Sequence, residues 1–461
     1  MKIAIIGGGI AGVSAAYELT HRGVDFTLYE ASGRLGGIVE TIRRNGFVVE
    51  CGPDSWVTEK PWARDLAIEL GLEDEIISSN DDQRRTYIVQ DNNLIAMPDG
   101  MRMMVPTRWE PLLISSLFTE AAKQAYRLEE ERAEELKASI PANDESVASF
   151  VRRHFGDEVA RTIAGPLLAG VFGGDIDRLS ARAVMPAFVK MEREYGSLIT
   201  ALQSGKRGGD NRPSVFTTLK SGLQTLVDRM ALALPAGSVQ LHRTVHGISR
   251  NEKAWQIAAA DTIMIFDAVI LAAPADVTRK LLAPLDPAYD SLLSMDASSA
   301  IVIALAFEAG LEPEIKIPPG FGFLVPQKLR ESPDPQLLAC TFVDQKFLHR
   351  APEGAKLLRA FFGGEDAPQL LDASDEEVEA LAQRQLSILL GSLPDPSFTV
   401  IRRWPRSLPQ YEIGHLEKMV ELEERVRALP GLSLIGNAYY GVGLPDLVKQ
   451  GRDAARQIAG A

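Results

Sequence analysis

The chain has 461 residues, 46% of them apolar and 24% charged, which is too long for one compact core and too apolar for wholesale disorder, so two or three domains are expected. Its 62 acidic residues outnumber 49 basic ones for a net charge of −13, which argues against a general nucleic-acid role, because that needs a basic face. Cys51 and Cys340, the 2 cysteines, form no CxxC pair and no metal-ligand spacing, which argues against a dithiol centre, a structural zinc or a disulfide framework.

From Lys2 the chain enters an apolar strand pattern with no charged-then-apolar leader, and no uncharged apolar run reaches about 18 residues. A cytoplasmic location is the expectation. "KIAIIGGGIAGVSAAYELTHRGVDFTLYEAS" reads as strand, tight turn, helix and strand, with G-x-G-x-x-G at Gly7, Gly9 and Gly12. Those glycines serve a turn, the approach of a pyrophosphate and helix-to-strand packing. The helix N-terminus offers free N–H groups and a positive dipole end to phosphates. Glu30, at the end of the second strand, suits the hydroxyls of an adenosine ribose, so a dinucleotide site is expected here.

A second Gly-rich turn, with Arg34, Gly36 and Gly37, follows at once in "EASGRLGGIVET". In "VVECGPDSWV" an apolar strand meets Gly52 and Pro53, where glycine's free dihedrals and proline's fixed φ turn the chain sharply. The next segment, "WVTEKPWARDLAIELGLEDEI", is signed as a helix by Trp62, Leu66 and Leu70, with Pro61 in its first turn and Gly71 at its end. Lys60 sits near its N-terminus, where a cation opposes the dipole; a solvated surface lysine is the plain alternative.

Residues from about 110 to 205 read as mostly helical, and the charged run "RLEEERAEELK" (127–137) reads as a solvated helix face laced by i,i+4 pairs rather than a site. Gly165, Gly170, Gly173 and Gly174 among apolar residues mark either a tight interhelical contact or a place where a flat apolar ligand lies against backbone. "SGKRGGDNRP" (204–213) reads as a boundary loop. Beyond it, "VQLHRTVHGISR", "AWQIAAA" and "TIMIFDAVILAAPA" read as strands returning to the nucleotide-binding sheet, which makes that domain discontinuous. "IVIALAF", "FGFLVP", "LLACTFV" and "LLRAFFGG" suggest a mainly antiparallel second sheet, the natural substrate platform. "LSLIGNAYYGVGLPDLVKQGRDAARQIAG" gives a strand, a Gly-containing turn and a terminal helix whose N-terminus near Val442 could face a negative ring edge. His21, His154, His242, His246, His349 and His415 form no apparent triad or metal cluster, and each reads as structural or exposed.

"EASGRLGG" resembles the second motif of the large FAD family that contains amine oxidases, phytoene desaturases and protoporphyrinogen oxidases, which implies FAD. No second GxGxxG opens a nicotinamide domain, so dioxygen is the simplest electron acceptor. GGGIAG, EASGRLGG, "ECGPDS", "LLAGVFGGDIDRLS", "VKMEREYGSLI", "GFGFLVP", "RRWPRSLPQY" and "GNAYYGVGLPD" are similar, in order and spacing, to bacterial protoporphyrinogen oxidases of the HemY type, essentially end to end. The resemblance implies an α/β fold with the following parts: a discontinuous Rossmann-like FAD-binding domain (1–87, 211–275 and 406–461), a helical membrane-binding insert (88–210) and an antiparallel substrate domain (276–405).

By the same resemblance, Gly7, Gly8, Gly9, Ile10, Ala11, Gly12, Glu30, Ala31, Arg34, Gly37 and Ile38 match cofactor contacts of the first motifs. Gly52, Pro53, Asp54 and Ser55 match a cofactor turn, Val245 the adenine end, and Trp404, Val442, Gly443 and Leu444 later contacts near the ring system. Asn437 stands where much of the superfamily has an acidic residue, which puts a charged contact there in doubt. Gly170, Phe321, Leu324 and Phe361 fall at substrate-wall positions, Arg85 at a propionate-binding arginine, and Lys60 at a basic position of Gram-positive relatives; no catalytic residue is assigned.

The implied activity is oxygen-dependent, six-electron oxidation of protoporphyrinogen IX to protoporphyrin IX by hydride transfer to FAD, with hydrogen peroxide released. Peripheral attachment to the inner face of the cell membrane, a ferrochelatase partner and a homodimer are further expectations. "GMRMMVPTRWEPLLISSLF", with Arg102 and Arg108, has the mixed character of an interfacial surface, against a buried helix pair as the competing reading. Three alternatives stay open: the same chemistry on coproporphyrinogen III, an amine oxidase or carotenoid desaturase, and a flavin-binding scaffold without turnover. Tyr439 and Tyr440 lie close to where an amine oxidase would carry its aromatic pair.

Overall fold

The structure is a computed structural model and describes residues 1–204, 214–251, 254–326 and 334–460. The expected boundary loop lies, from 205 to 213, outside the described residues. Two compact units emerge. The first comprises Met1–Ser79, Ser214–Asp296 and Glu417–Ala461, and the second Asn80–Pro213 and Ala297–Leu416.

The first unit is built on five parallel strands in the order Val239–Gln240, Asp25–Tyr29, Lys2–Ile6, Ala268–Leu271 and Leu432–Leu434. Alternation along the central strand sorts its side chains between two cores. Ile3 and Ile5 face a helical layer that includes Val13 and Leu19 of Ile10–His21 and Val448 and Ala455 of Leu444–Ala459. Ala4 and Ile6 face Val245, Ile248, Trp255 and Phe266. Those four residues belong to a separate three-stranded antiparallel sheet, Val245–Arg250, Trp255–Ala259 and Thr262–Phe266.

This corrects the sequence reading at two points. "VQLHRTVHGISR" is two strands, because His242 takes φ 54° and turns the chain between them, and of "TIMIFDAVILAAPA" only Ala268–Leu271 joins the parallel sheet. The helix signed by Pro61 runs Trp62–Glu69 and ends before Gly71 at φ 71°.

The first and last helices are tied by charge as well as by apolar contact. Buried Glu18 accepts hydrogen bonds from Arg452 Nε at 2.8 Å, Arg456 Nε at 2.9 Å and Arg22 Nε at 3.0 Å.

The second unit contains a seven-stranded sheet in the order Phe398–Pro409, Ala297–Phe307, Lys356–Gly363, Ala339–Phe342, Gly322–Leu324, Thr86–Gln90 and Asn93–Ala96. It is antiparallel except where Gly322–Leu324 pairs parallel with Thr86–Gln90. Ile301, Ile303, Phe323, Phe342, Ala360 and Phe362 form one face, packed with Val378, Leu381 and Leu386 of the helix Asp375–Leu390.

The remainder is largely helical, including Glu120–Glu131, Val147–Phe155, Gly165–Phe172, Pro186–Tyr195 and Leu198–Ser204. A π turn at Ala160–Ala164 precedes Gly165–Phe172. Pro166 has no N–H to complete an α-helical ladder there. The charged run at 127–137 is not simply a solvated face. The helix breaks at Arg132, and Glu129 is fully buried. Among the described residues, no helix is long and apolar enough to cross a membrane.

Burial alone would raise the Glu18 carboxyl, but its bonds to Arg456, Arg452 and Arg22 outweigh it and hold the group down at about 2. A folded-state value below the unfolded one contributes stability above the unfolded value of about 4.3 and loses it as pH falls toward about 2. Glu18→Gln is therefore expected to remove about 2–3 kcal/mol of stability at neutral pH and to flatten acid unfolding between about pH 4 and 2, measured by urea titration across pH.

Candidate flavin site and sheet face

The parallel strands of the first unit deliver their C-terminal ends to a cluster of backbone turns, the usual ligand position in open parallel sheets. Gly12 is required by the chain itself, since a Cβ there would overlap the Gly7 carbonyl oxygen. Gly9 is not. Its φ −67° and ψ 175° suit any residue, and a Cβ there would meet nothing within 4 Å. Gly9 also caps the helix Ile10–His21 without a side-chain bond, leaving the first N–H groups to a ligand.

Glu30 braces this turn. One carboxylate oxygen accepts Gly8 N–H at 2.7 Å and the other accepts Ser32 N–H at 2.7 Å. A carboxylate has about four lone-pair sites, so two backbone bonds leave capacity for ribose hydroxyls. Gly8 O accepts Gly36 N–H at 2.8 Å, which joins the second Gly-rich turn to the first. The Arg34 guanidinium holds that second turn from within, donating to the carbonyls of Leu35, Gly37 and Val39.

Gly52 lies outside the left-handed φ region, so the expected use of unusual dihedrals does not apply. Glycine is needed because a Cβ would overlap the Ile38 carbonyl oxygen. Within the turn, Ser55 Oγ donates to Asp54 Oδ1 at 2.7 Å.

His242 N–H donates to Ser32 O at 3.0 Å and Arg243 N–H to Glu30 O at 2.9 Å, which brings the segment leading to Val245 alongside Glu30. The sequence carries no signal that His242 neighbours this site; its φ of 54° and its ring, 2.7 Å from where a Cβ on Gly33 would stand, place it there. The C-terminal helix starts at Leu444, two residues after Val442, with Gly443 as its cap. Asp446 in its first turn binds Lys60 Nζ at 2.6 and 2.8 Å. Lys60 thus has a carboxylate partner within its own unit.

Of the residues matched to the cofactor, Gly7 through Gly12, Glu30, Ala31, Arg34, Gly37, Ile38, the 52–55 turn, Val245 and 442–444 lie in the first unit, and Trp404 lies in the second. There, cross-strand register puts Leu324 opposite Ala339, Ala339 opposite Phe361, Phe361 opposite Val302 and Val302 opposite Arg402. Trp404, two residues on from Arg402, shares this face, which is the one opposite the packed core.

Leu324, Phe361 and Trp404 are half-buried. Phe321 is buried just before its strand and donates its N–H to Arg85 O at 2.7 Å, while Arg85 itself is exposed. Gly170 is exposed inside a helix, and a Cβ there would meet nothing within 4 Å, although glycine in a helix interior costs about 1 kcal/mol relative to alanine. Tyr439 is buried and Tyr440 is 43% exposed, so their rings do not share one environment.

A family model described as flavin containing amine oxidoreductase matches residues 10–459. The chain belongs to this family. It is 33% identical to the coproporphyrinogen III oxidase of Bacillus subtilis (strain 168), covering 98% of this chain and 96% of the relative. With protoporphyrinogen oxidase 2, chloroplastic/mitochondrial, of Arabidopsis thaliana the identity is 26%, over 98% of this chain and 93% of the relative. A crystal structure from Exiguobacterium sp. 255-15, whose protein is provisionally named a protoporphyrinogen oxidase, superposes with a TM-score of 0.84 at 30% identity, covering 99% of this chain and 98% of that one.

Within the family, then, the chain falls with the HemY-type porphyrinogen oxidases, has the mixed α/β fold of FAD-dependent oxidoreductases, and is an oxidoreductase with FAD as cofactor. The open position at Gly9, the uncapped helix and the Glu30 brace fit that cofactor. Gly9→Val is expected to leave the fold and thermal midpoint of the apoprotein unchanged. FAD affinity should fall at least about tenfold, or about 1.4 kcal/mol, read by flavin titration of the apoprotein.

Proposed function

We propose that the chain oxidises a porphyrinogen to the corresponding porphyrin with dioxygen as electron acceptor. The observation that carries this reading is Gly170, a helix glycine that the chain itself does not require, in the same unit as the half-buried row of Leu324, Phe361 and Trp404. A large macrocycle with an apolar ring face is a ligand for which bare backbone and an apolar sheet face are suited.

The reaction removes six electrons and six hydrogens, as three hydrides and three protons, and three dioxygen molecules leave as three hydrogen peroxides. FAD would supply the hydride acceptor and the route for electrons to dioxygen. Glu30 and the Gly7–Gly12 turn hold the nucleotide end, with Arg34 and the 52–55 turn fixing the backbone around it. Gly170, Phe321, Leu324 and Phe361 are the substrate wall, and Arg85 is the cation for a propionate. A propionate reaching Lys60 must compete with Asp446.

Coproporphyrinogen III, with four propionates, is the first substrate reading. The Bacillus subtilis relative, the more identical of the two enzymes compared, is named for it, and Arg402 adds a cation to the row, across Val302 from Phe361. Protoporphyrinogen IX is the second reading, favoured by the apolar character of Leu324, Phe361 and Trp404. Peripheral attachment through residues 88–210 is also proposed. Ile114, 80% exposed, and the exposed Arg102 and Arg108 support it.

Rates measured side by side on the two porphyrinogens, with oxygen uptake and porphyrin fluorescence followed, are expected to favour coproporphyrinogen III. Arg85→Ala should raise KM more than it lowers kcat. A preference for protoporphyrinogen IX reverses the substrate order, and flavin-loaded protein that gains no fluorescence from either compound overturns the enzyme reading.

A further inference from the structure

A fully buried cluster of charge lies in the helical part of the second unit. His154, on Val147–Phe155, has Nδ1 at 2.8 Å from Glu129 Oε1 and Nε2 at 3.1 Å from Glu192 Oε1. Both carboxylates and the imidazole have side-chain exposures of 0–1%. A neutral imidazole donates from one nitrogen only, so it cannot satisfy two ionised carboxylates at once. This geometry calls for the imidazolium, which donates from both.

The cluster gathers four helices. Glu129 comes from Glu120–Glu131 and Glu192 from Pro186–Tyr195. Glu129 also receives the start of Leu198–Ser204, accepting Leu198 N–H at 2.7 Å and Ser197 Oγ–H at 2.5 Å. Arg153, next to His154 on its own helix, donates to Glu192 at 2.7 Å and also to Glu145. The other titratable groups around the cluster are Glu130 and Tyr126 on the Glu129 helix and Arg132 at its end, whose Nη1 donates to Arg153 O. The rings of Phe150 and Phe155 lie 4.9 and 5.6 Å from the imidazole, centroid to centroid.

We propose that His154, held between Glu129 and Glu192, is a proton-dependent latch on the helical region from residue 120 to residue 204, closed when the imidazole carries both protons and loosened when it loses one. Loss of a proton leaves a buried ring nitrogen lone pair facing a buried carboxylate oxygen with no donor between them, a repulsive contact that water does not screen. The loosened elements include the helix that leads through Gly156 to the π turn and Gly170.

Burial disfavours the charged imidazole, but the bonds to Glu129 and Glu192 outweigh it, so His154 titrates above its ordinary value. A raised folded-state value means the latch contributes fully below the unfolded value of about 6.5 and is lost as pH rises through the folded-state value.

Hydrogen–deuterium exchange of the FAD-loaded protein between pH 6 and pH 9, corrected for intrinsic exchange, tests this. Protection in 120–131, 147–155, 186–195 and 198–204 is expected to fall several-fold with rising pH, while the parallel sheet of the first unit keeps its protection. In Glu192→Gln the amide oxygen can go on accepting from Arg153 and His154 but carries no charge to hold the imidazolium, so the loss of protection should move to lower pH. An unchanged pH dependence in that variant overturns the proposal. Nitrogen-15 histidine NMR on the unaltered protein is independent of whether the variant folds: two protonated ring nitrogens at neutral pH support the latch, and a neutral ring there overturns it.

Discussion

Two backbone N–H groups converge on the Glu30 carboxylate, and the nucleotide end of the first unit depends on that convergence. Gly8 belongs to the turn after the first strand and Ser32 to the turn after the second, so one side chain fixes the spacing of the loops that leave two paired, adjacent strands. The Gly36-to-Gly8 bond and the Arg34 staple then build the second turn on the first. A charge-assisted bond to backbone is shorter and stronger than a neutral one, and partial burial protects it from competition by water. The loops are held in shape before any ligand arrives, which spares the ligand the entropy of ordering them.

The glycines of this chain divide by who needs them. At Gly12 and Gly52 the protein's own carbonyl oxygens forbid a side chain, and at Gly71 the left-handed backbone does. At Gly9 and Gly170 neither demand exists. A motif pattern treats all of them alike. In the folded chain, packing glycines are distinct from those that leave room for something the chain does not contain.

Much of the fold was legible because its signals are local. The strand, turn and helix from Lys2 to His21, the Pro61-to-Gly71 helix and the apolar runs of the second sheet are each written in a few adjacent residues. What was not legible depends on distant partners. "RLEEERAEELK" has the composition of a solvated face, and nothing near Glu129 in sequence announces His154, Ser197 or Leu198. Lys60 is separated from Asp446 by 386 residues, so its ion pair has no sequence signature. The split of "VQLHRTVHGISR" was hidden because its two halves have the same β-rich composition and differ only in which sheet receives them. Of the candidate site, the glycine turns could be read by motif, whereas the shared face of Leu324, Phe361 and Trp404 needed strand register, which a one-residue slip would invert.

The π turn at Ala160–Ala164 amounts to one surplus residue carried inside a continuous helix. An α-helix advances by about 100° per residue, so absorbing or expelling that residue would rotate everything beyond it by roughly that angle. Gly170 lies six residues past the turn's last member, Ala164. The aspect it presents is therefore set by chain length upstream as much as by its own identity. A single-residue deletion within 160–164 would re-aim the helix while leaving every named residue of the candidate site in place, a route by which this region could change its ligand without changing its composition.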